Sequence, residues 1–376
     1  MFLESISLKN FRNYTDVNIS FSHGTNLILG KNGAGKSNLL EAIYILSTSK
    51  SFRNAADNKI KRWGTYNYNV KGVFSSENGE YEIELSYVKD KKRLLINGAP
   101  EERISNILGF AYCVIFFFDD ILLVAGPPKM RRSFLDLILS TIDPLYFEYL
   151  KNYLSAFKQK SRYLRDSSSI DYNLLKSWNE KLVDSGSYIL HKRYSLVRFI
   201  NSYIDKSVSE VFGFRYPFKV VYQTNVPRTN NEDSVEHIQS SFTEELEKNT
   251  DKEIRVSQCI IGPHRDDLVF TDEKHDVRTF GSIGEARLSS IILKCAQAEF
   301  YHQKKGIIPI LLIDDILLEL DKKNMEKVLI LIYAESQKVI TTTEVVKLPE
   351  IFLYDQMFNI DEKGNILCKG IRKPTQ

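Results

Sequence analysis

The residues best suited to chemistry lie at positions 30 to 37, Gly30-Lys31-Asn32-Gly33-Ala34-Gly35-Lys36-Ser37, spaced as G-x-x-x-x-G-K-[ST]. Glycines at 30, 33 and 35 let the backbone curl so that successive N–H groups point inward at phosphate oxygens. A short apolar strand, Leu27 to Leu29, precedes them, and a helix opening at Lys36 adds its positive end. Lys36 is expected to bridge the β- and γ-phosphates of a nucleoside triphosphate. The Ser37 hydroxyl suits magnesium, which takes hard oxygen donors and keeps substrate phosphates in its shell. Far downstream, Ile310-Leu311-Leu312-Ile313 runs into Asp314-Asp315, so a buried strand delivers two carboxylates at its end, where sheet-based sites assemble. Asp314 would hold the magnesium, directly or through water, and Asp315 would orient or deprotonate the attacking water. An ordinary strand leaving the core gives the same pattern; the phosphate loop upstream favours the chemical reading. Between the two, Ser282-Ile283-Gly284-Glu285-Ala286-Arg287 offers a hydroxyl and bare N–H groups to an anion, but taken alone it matches a plain helix cap.

These residues need a scaffold. Val17, Ile19 and Phe21 alternate with polar neighbours, as do Tyr66, Tyr68 and Val70 and then Tyr81, Ile83, Leu85 and Tyr87, which predicts half-buried antiparallel strands. Asn97-Gly98 marks a turn, and Tyr112 to Phe118 reads as a strand buried on both faces. From about residue 128 the period becomes helical: Leu135, Ile138, Leu139 and Ile142 share one face, and Tyr146, Leu150, Tyr153 and Phe157 another, with Asp143-Pro144 between. Leu182, Ile189, Leu196 and Tyr203 recur every seven residues, as in helices packed side by side. The polar stretch Asn225 to Asp251, with Arg228-Thr229-Asn230-Asn231, reads as loop and short helix before strands resume near Ile254. The last third alternates a striped helix (Leu288, Ile291, Ile292, Cys295, Ala298), a buried strand (Ile308 to Ile313), a helix (Glu326 to Ala334) and a strand (Val339 to Thr342), the signature of a parallel sheet flanked by helices.

A chain of 376 residues suggests two or three domains, and 43% apolar with 26% charged residues is ordinary globular usage. The net charge of +3 is too near neutrality for a whole-surface attraction to nucleic acid or anionic membrane, so a polyanion site must be a local patch. The longest apolar runs, Ala111 to Phe118 and Ile307 to Ile313, fall short of the about 20 residues that span a bilayer. The N-terminus lacks a secretory pattern, so a cytoplasmic location without a membrane partner is expected. Cys113, Cys259, Cys295 and Cys368 stand singly and indicate neither a zinc site nor a disulfide framework.

Taken in order, the phosphate loop with Asn38-Leu39-Leu40-Glu41-Ala42-Ile43-Tyr44, the Ser-x-Gly element before a helix and the apolar strand ending in Asp-Asp resemble an ATP-binding-cassette head of the SMC type. More narrowly, five strings are similar to those of the RecF family of bacterial recombination mediators. They are Asn10-Phe11-Arg12-Asn13-Tyr14, Ser51-Phe52-Arg53, Arg131-Arg132-Ser133-Phe134-Leu135-Asp136, Gly262-Pro263-His264-Arg265-Asp266-Asp267-Leu268 and Thr341-Thr342-Thr343. The resemblance spans nearly the whole chain. It implies an α/β fold: an ABC-type (SMC-like) ATPase head of mixed parallel and antiparallel sheets, residues 1–118 and 255–376, with an inserted mainly helical arm, residues 119–254. It implies ATP and Mg2+ as cofactors, with Arg12 joining Gly30 to Ser37 at the nucleotide. It also implies an ATP-dependent homodimer in which Ser282 and Gly284 of one subunit cover the ATP of the other. DNA, single- and double-stranded and at gap junctions, would be gripped by that dimer, which with mediator partner proteins would load recombinase in repair, replication restart and the SOS response.

Several positions depart from the family pattern. Leu318 stands where Ser-Glu-Leu-Asp is usual, Ile283 and Ala286 replace common Gln residues, and Phe117-Phe118-Asp119-Asp120 lacks a Pro-Glu pair. Asp315 replaces the Glu of most cassette ATPases, and its shorter reach implies slow turnover; the resemblance implies a weak, DNA-stimulated ATPase. Thr341 to Thr343 occupy the usual place of a histidine, which leaves His264 as the histidine to test against a structural role. Basic clusters at Lys59-Lys61-Arg62, Lys89 to Arg93, Lys129 to Arg132, and Lys158-Lys160-Arg162-Arg165 are candidate phosphate contacts or solvated faces. Two rival readings are a DNA clamp that binds ATP without hydrolysing it and the ATPase subunit of a transporter. A head with long coiled-coil arms is excluded by an insert of only about 130 residues.

Overall fold

The computed structural model describes residues 1–77, 79–167, 169–212, 218–227, 234–271, 276–332, 335–343, 353–362 and 364–368, leaving aside the side chains of Phe280 and Leu318. Residues 1–120 with 291–376 form one compact unit, and residues 121–290 a second.

Two-residue alternation builds the first sheet of the first unit. β1 (Phe2–Phe11) and β2 (Tyr14–Ser20) form a hairpin. A register shift between Leu3 and Ser5 lets Leu3 and Ile6, three residues apart, both face the core. β3 (Thr25–Gly30) and helix α1 (Lys36–Thr48) follow, then β4 (Asn67–Ser76), β5 (Gly79–Val88), β6 (Lys91–Ile96) and the short β7 (Ala99–Pro100). The antiparallel order is β2-β1-β4-β5-β6-β7. Asn97 and Gly98, at φ 50° and 77°, make the β6–β7 hairpin turn, a conformation Asn and Gly reach most cheaply.

The second sheet carries the chemistry. β8 (Cys113–Phe116), β11 (Ile310–Asp314), β12 (Lys338–Thr342), β3 and β13 (Gln356–Ile360) run parallel, in the order β13-β3-β12-β11-β8, with β14 (Ile366–Cys368) antiparallel at the edge. β8 is buried at all four positions and β11 at its first four, as expected of strands covered on both faces. The register sets Thr341 opposite both Ile28 and Asp314. Consequently the phosphate loop that leaves β3 and the acids that end β11 emerge at the same edge. α1 is buried on every side from Leu39 to Thr48, consistent with its place in the interior rather than on a surface. The described part of the C-terminal helix α7 runs Lys322–Leu331, and Ala334 lies outside the described residues.

In the second unit, α2 (Pro128–Ile142) gives way to α3 (Pro144–Asp166) at Asp143, whose carboxylate accepts from the N–H groups of Leu145 and Tyr146 while Pro144 takes the first helical position. α4 (Tyr172–Tyr203) buries Leu182, Ile189, Leu196 and Tyr203, the seven-residue stripe. One expectation is corrected here. The stretch read as loop and short helix holds the 22-residue α5 (Val235–Val256), capped by Ser234, with Ile238, Phe242 and Leu246 on its buried face. The charges at Glu244, Glu245, Glu247 and Lys248 mask that sparse stripe. Strand structure therefore resumes only at β10 (Asp267–Thr271), paired antiparallel with β9 (Lys219–Gln223), and not near Ile254. Arg228 to Asn231 lie outside the described residues. The second unit continues to Ser290, past the expected return to the head at 255, because the Gly262–Leu268 string is tied into the helices around it.

Candidate nucleotide site

Gly33 (φ 84°) and Gly35 (φ 115°) hold the loop in the left-handed region, where any side chain is strained. At Gly35 space is also short: an added Cβ would lie 2.5 Å from Asn13 Nδ2, whereas at Gly33 nothing lies within 4 Å. Asn13 donates to the Ala34 carbonyl at 2.9 Å and accepts from Asn38 Nδ2 at 2.9 Å; Tyr14 donates to the Gly35 carbonyl at 2.9 Å. The β1–β2 turn thus splints the loop through its carbonyls and takes up none of its N–H groups. Lys36 is 4% exposed, with Nζ 2.9 Å from the Gly30 carbonyl. Lys31 points away to an exposed pair with Glu362 at 2.8 Å, so its contribution to the loop is its backbone.

The acids sit beside this loop. Asp314 accepts from Thr341 Oγ1 at 3.0 Å and has the Ser37 hydroxyl beside it. Burial raises its pKa, while the Ser37 and Thr341 bonds and Arg53 oppose the rise. Asp315 takes a left-handed conformation (φ 52°), held by its N–H donating to Thr341 Oγ1 at 3.0 Å. Its Oδ2 lies 3.7 Å from Lys36 Nζ, and its buried Oδ1 has no hydrogen-bond partner. A hydroxyl and a carboxylate side by side, next to a second carboxylate with an unsatisfied buried oxygen, are the hard donor set that magnesium takes. Lys36, Ser37, Asp314 and Asp315, distant in sequence, are therefore brought together. Among the described residues no cluster of three or more His, Cys, Asp and Glu side chains could hold a metal by itself. A divalent ion here would need the hydroxyl and substrate oxygens.

Arg12, also left-handed (φ 53°), grips the fully buried Glu41 of α1 through Nε and Nη2, both at 2.7 Å, and Ser51 donates to the same carboxylate. Its Nη1 donates to the Lys59 carbonyl at 2.8 Å. Arg12 is thus a strut under α1, with unused guanidinium hydrogens as its only means of reaching a nucleotide. Sequence reasoning missed the splints Asn13 and Asn38 and the nearby cation Arg53, which donates to Asn38 Oδ1 at 3.1 Å, and it read the hydroxyls of Thr341 to Thr343 as reaching the γ-phosphate rather than as ordering the acids. Asn13, Arg53 and Thr341 lie inside strings already quoted, but their role becomes visible only when the β1–β2 turn lies over the loop and β12 lies between β3 and β11.

Other candidates take different places. Ser282 and Gly284 belong to the second unit. Ser282 Oγ accepts from the Glu285 N–H at 3.2 Å while Glu285 accepts from the Ser282 N–H at 2.7 Å, a capping box opening α6 (Ile283–Lys305). Of the two readings of His264 the structural one holds: its Nδ1 shares a hydrogen bond with Tyr153 at 2.6 Å, its Nε2 lies 3.1 Å from the Cys259 carbonyl, and burial pushes its pKa down to about 4. Several basic candidates are structural as well. Arg131 is buried against Asp267, Lys160 against Glu253, and Arg132 donates to the Asp266 carbonyl at 2.6 Å. Arg193 joins Asp136 at 2.7 Å to the Pro263 carbonyl at 2.9 Å, so the strings 131–136 and 262–268 prove to be partners in one buried network.

The profile of the RecF/RecN/SMC N-terminal domain family matches residues 2–363. DNA replication and repair protein RecF of Leptospira interrogans is 33% identical over 92% of this chain and 92% of its own length. RecF of Oenococcus oeni is 32% identical over 98% of this chain and all of its own. Solved structures of the recombination mediator protein RecF-ATP of the RecFOR pathway superpose with a TM-score of 0.89 at 28% identity, covering 98% of both chains. An SMC head bound to the C-terminal winged-helix domain of ScpA superposes at 0.53 with 18% identity and shares the fold alone. Among the described residues no helix is long and apolar enough to cross a membrane. With the phosphate loop, the paired acids and the partnered strings in place, the chain belongs to the RecF family, within the RecF/RecN/SMC N-terminal domain group.

Proposed function

We propose that this chain is an ATP-dependent DNA-binding recombination mediator, acting in repair and replication restart and in the SOS response. The observation that carries the reading is the convergence of the phosphate loop, Lys36 and Ser37 with Asp314 and Asp315. The N–H groups of residues 30 to 37 bind and orient the triphosphate, and Lys36 leaves its carbonyl partner to meet the β- and γ-oxygens. Ser37 and Asp314 would hold Mg2+, which supplies charge neutralisation across the phosphates when bound. Asp315 Oδ1 accepts a proton or hydrogen bond from the attacking water. A carboxylate this short, pinned by its backbone N–H to Thr341, reaches the water poorly, so turnover is slow.

In the same reading, ATP held on one subunit is covered by Ser282 and Gly284 of a second copy, so that the dimer persists only while the γ-phosphate does. The ATP-bound pair clamps DNA at gaps and junctions without reading sequence and meets the partner proteins that load recombinase; the relatives named for RecF-ATP and for the RecFOR pathway support this. The test is phosphate release with and without gapped duplex DNA. Slow release that rises with DNA and vanishes in Asp315→Asn supports the mediator. No release at all favours a clamp that does not hydrolyse, and release indifferent to DNA removes the reading.

A further inference from the structure

The turn from Lys59 to Tyr66 in the first unit displays two large rings to solvent: Trp63 is 98% exposed and Tyr66 87%. The backbone that carries them is pinned. Gly64 at φ 79° closes a turn in which the Thr65 N–H donates to the Arg62 carbonyl at 3.1 Å and Thr65 Oγ1 donates to the same oxygen at 2.7 Å. The Arg62 N–H donates to the Asn10 carbonyl at 2.7 Å, and the Arg12 N–H to the Ile60 carbonyl at 2.8 Å, which fastens the turn to the end of β1. Cations surround the rings. Lys59 is exposed, Lys61 stands over the Tyr66 ring, Arg62 is half-buried, and among the described residues none of the three has a carboxylate partner. The β4–β5 ladder ends at Asn67 opposite Val88, which sets exposed Lys89 and Lys91 on the same edge. The neighbouring acids are occupied, Asp57 by Lys92 and Tyr68, and Asp90 by Tyr87.

We propose that this turn binds unpaired bases of single-stranded DNA, with Trp63 and Tyr66 stacking on base faces while Lys59, Lys61 and Arg62 neutralise the phosphates. Rings carried into water on a pinned backbone amid uncompensated positive charge match a strand whose bases present free π-faces; in a duplex those faces are already stacked on one another. The inference rests on the mediator reading and adds to it a site for the single-stranded side of a gap. Because Arg12 supports both this turn and Glu41 of α1, the site is built on the same strut as the phosphate loop.

The chain has two tryptophans, so a Trp178→Phe background leaves Trp63 as the sole reporter. Oligothymidylate added to the full-length protein with ATP is expected to quench its emission. Trp63→Ala with Tyr66→Ala should weaken oligothymidylate binding at least about ten-fold, as loss of base–ring stacking does, with blunt-duplex affinity changed less than about two-fold and the unfolding midpoint unchanged. Unquenched emission with unaltered oligothymidylate affinity overturns the proposal. So does an emission shift that follows protein concentration alone, which would assign the rings to a second copy of the chain. If duplex still binds with ATP while Trp63 stays silent, only this inference falls; if neither DNA form binds, the mediator reading falls with it.

Discussion

Removing the Arg12 side chain tests how the phosphate loop is supported. Glu41 is fully buried, and apart from Ser51 its carboxylate is held by two Arg12 bonds of 2.7 Å. Breaking a buried pair from one side costs about 3–5 kcal/mol, since a desolvated charge is left without its counter-ion. Arg12 is 19% exposed, so water can partly replace it and the lower end, about 3 kcal/mol, applies. For unfolding entropies of about 2.1 cal/mol/K per residue this lowers the midpoint roughly 4 °C if the whole chain melts together, and roughly 7 °C if the first unit melts alone. Arg12→Met with Glu41→Met removes both charges and should recover most of the loss, because two apolar groups leave nothing unsatisfied. Thermal and urea unfolding of wild type, both single variants and the double variant complete a cycle with a coupling of about 2 kcal/mol or more. ATP affinity then separates support from contact: a double variant that is stable but binds ATP weakly means Arg12 also touches the nucleotide. A cost below about 1 kcal/mol for Arg12→Met, or a double variant no more stable than that single one, would refute the strut.

Three further outcomes follow from the same geometry. Gly35→Ala should weaken ATP binding by at least about ten-fold in calorimetric titration, since it adds a contact with Asn13 to about 1–3 kcal/mol of backbone strain, while Gly33→Ala carries strain alone and loses less; equal losses would contradict the splint. His264 has its pKa lowered to about 4, so the unfolded chain takes up its proton first as pH falls below about 6.5, and stability held above that pH is lost towards pH 4. The advantage of wild type over His264→Gln in urea should therefore shrink by about 2 kcal/mol between pH 7.5 and 5, and a constant difference would show the ring titrating freely. Ser282→Arg should block ATP-dependent pairing while leaving nucleotide affinity of the single chain intact; loss of that affinity would place Ser282 at its own subunit's nucleotide.

Much of this was legible in the sequence because it is local. The loop glycines, Lys36 and Ser37 are adjacent, and the run into Asp314-Asp315 announces a strand end. The two-residue alternation of β2, β4 and β5 and the heptads of α4 are equally short-range. What stayed hidden depends on long-range pairing. Thr341 orders both acids only because β12 lies beside β11, and Asn13 splints the loop only because the β1–β2 turn folds over it. Arg131 and Lys160 look in sequence like phosphate contacts, and only burial against Asp267 and Glu253 reveals them as internal cations; half-buried Arg132 is tied to the Asp266 carbonyl. α5 was missed because three apolar positions in a run of charges carry too little periodic signal.

The central claim is that a nucleoside triphosphate joins two copies of this chain. Static light scattering on Asp315→Asn, in which hydrolysis no longer removes the γ-phosphate, measures it most directly. Without nucleotide or with ADP the mass should be that of one chain, 43.5 kDa. With ATP and magnesium it should double, 2 × 43.5, to about 87 kDa, and Lys36→Met should abolish the change. A mass that stays at 43.5 kDa with ATP across micromolar protein concentrations would contradict the account.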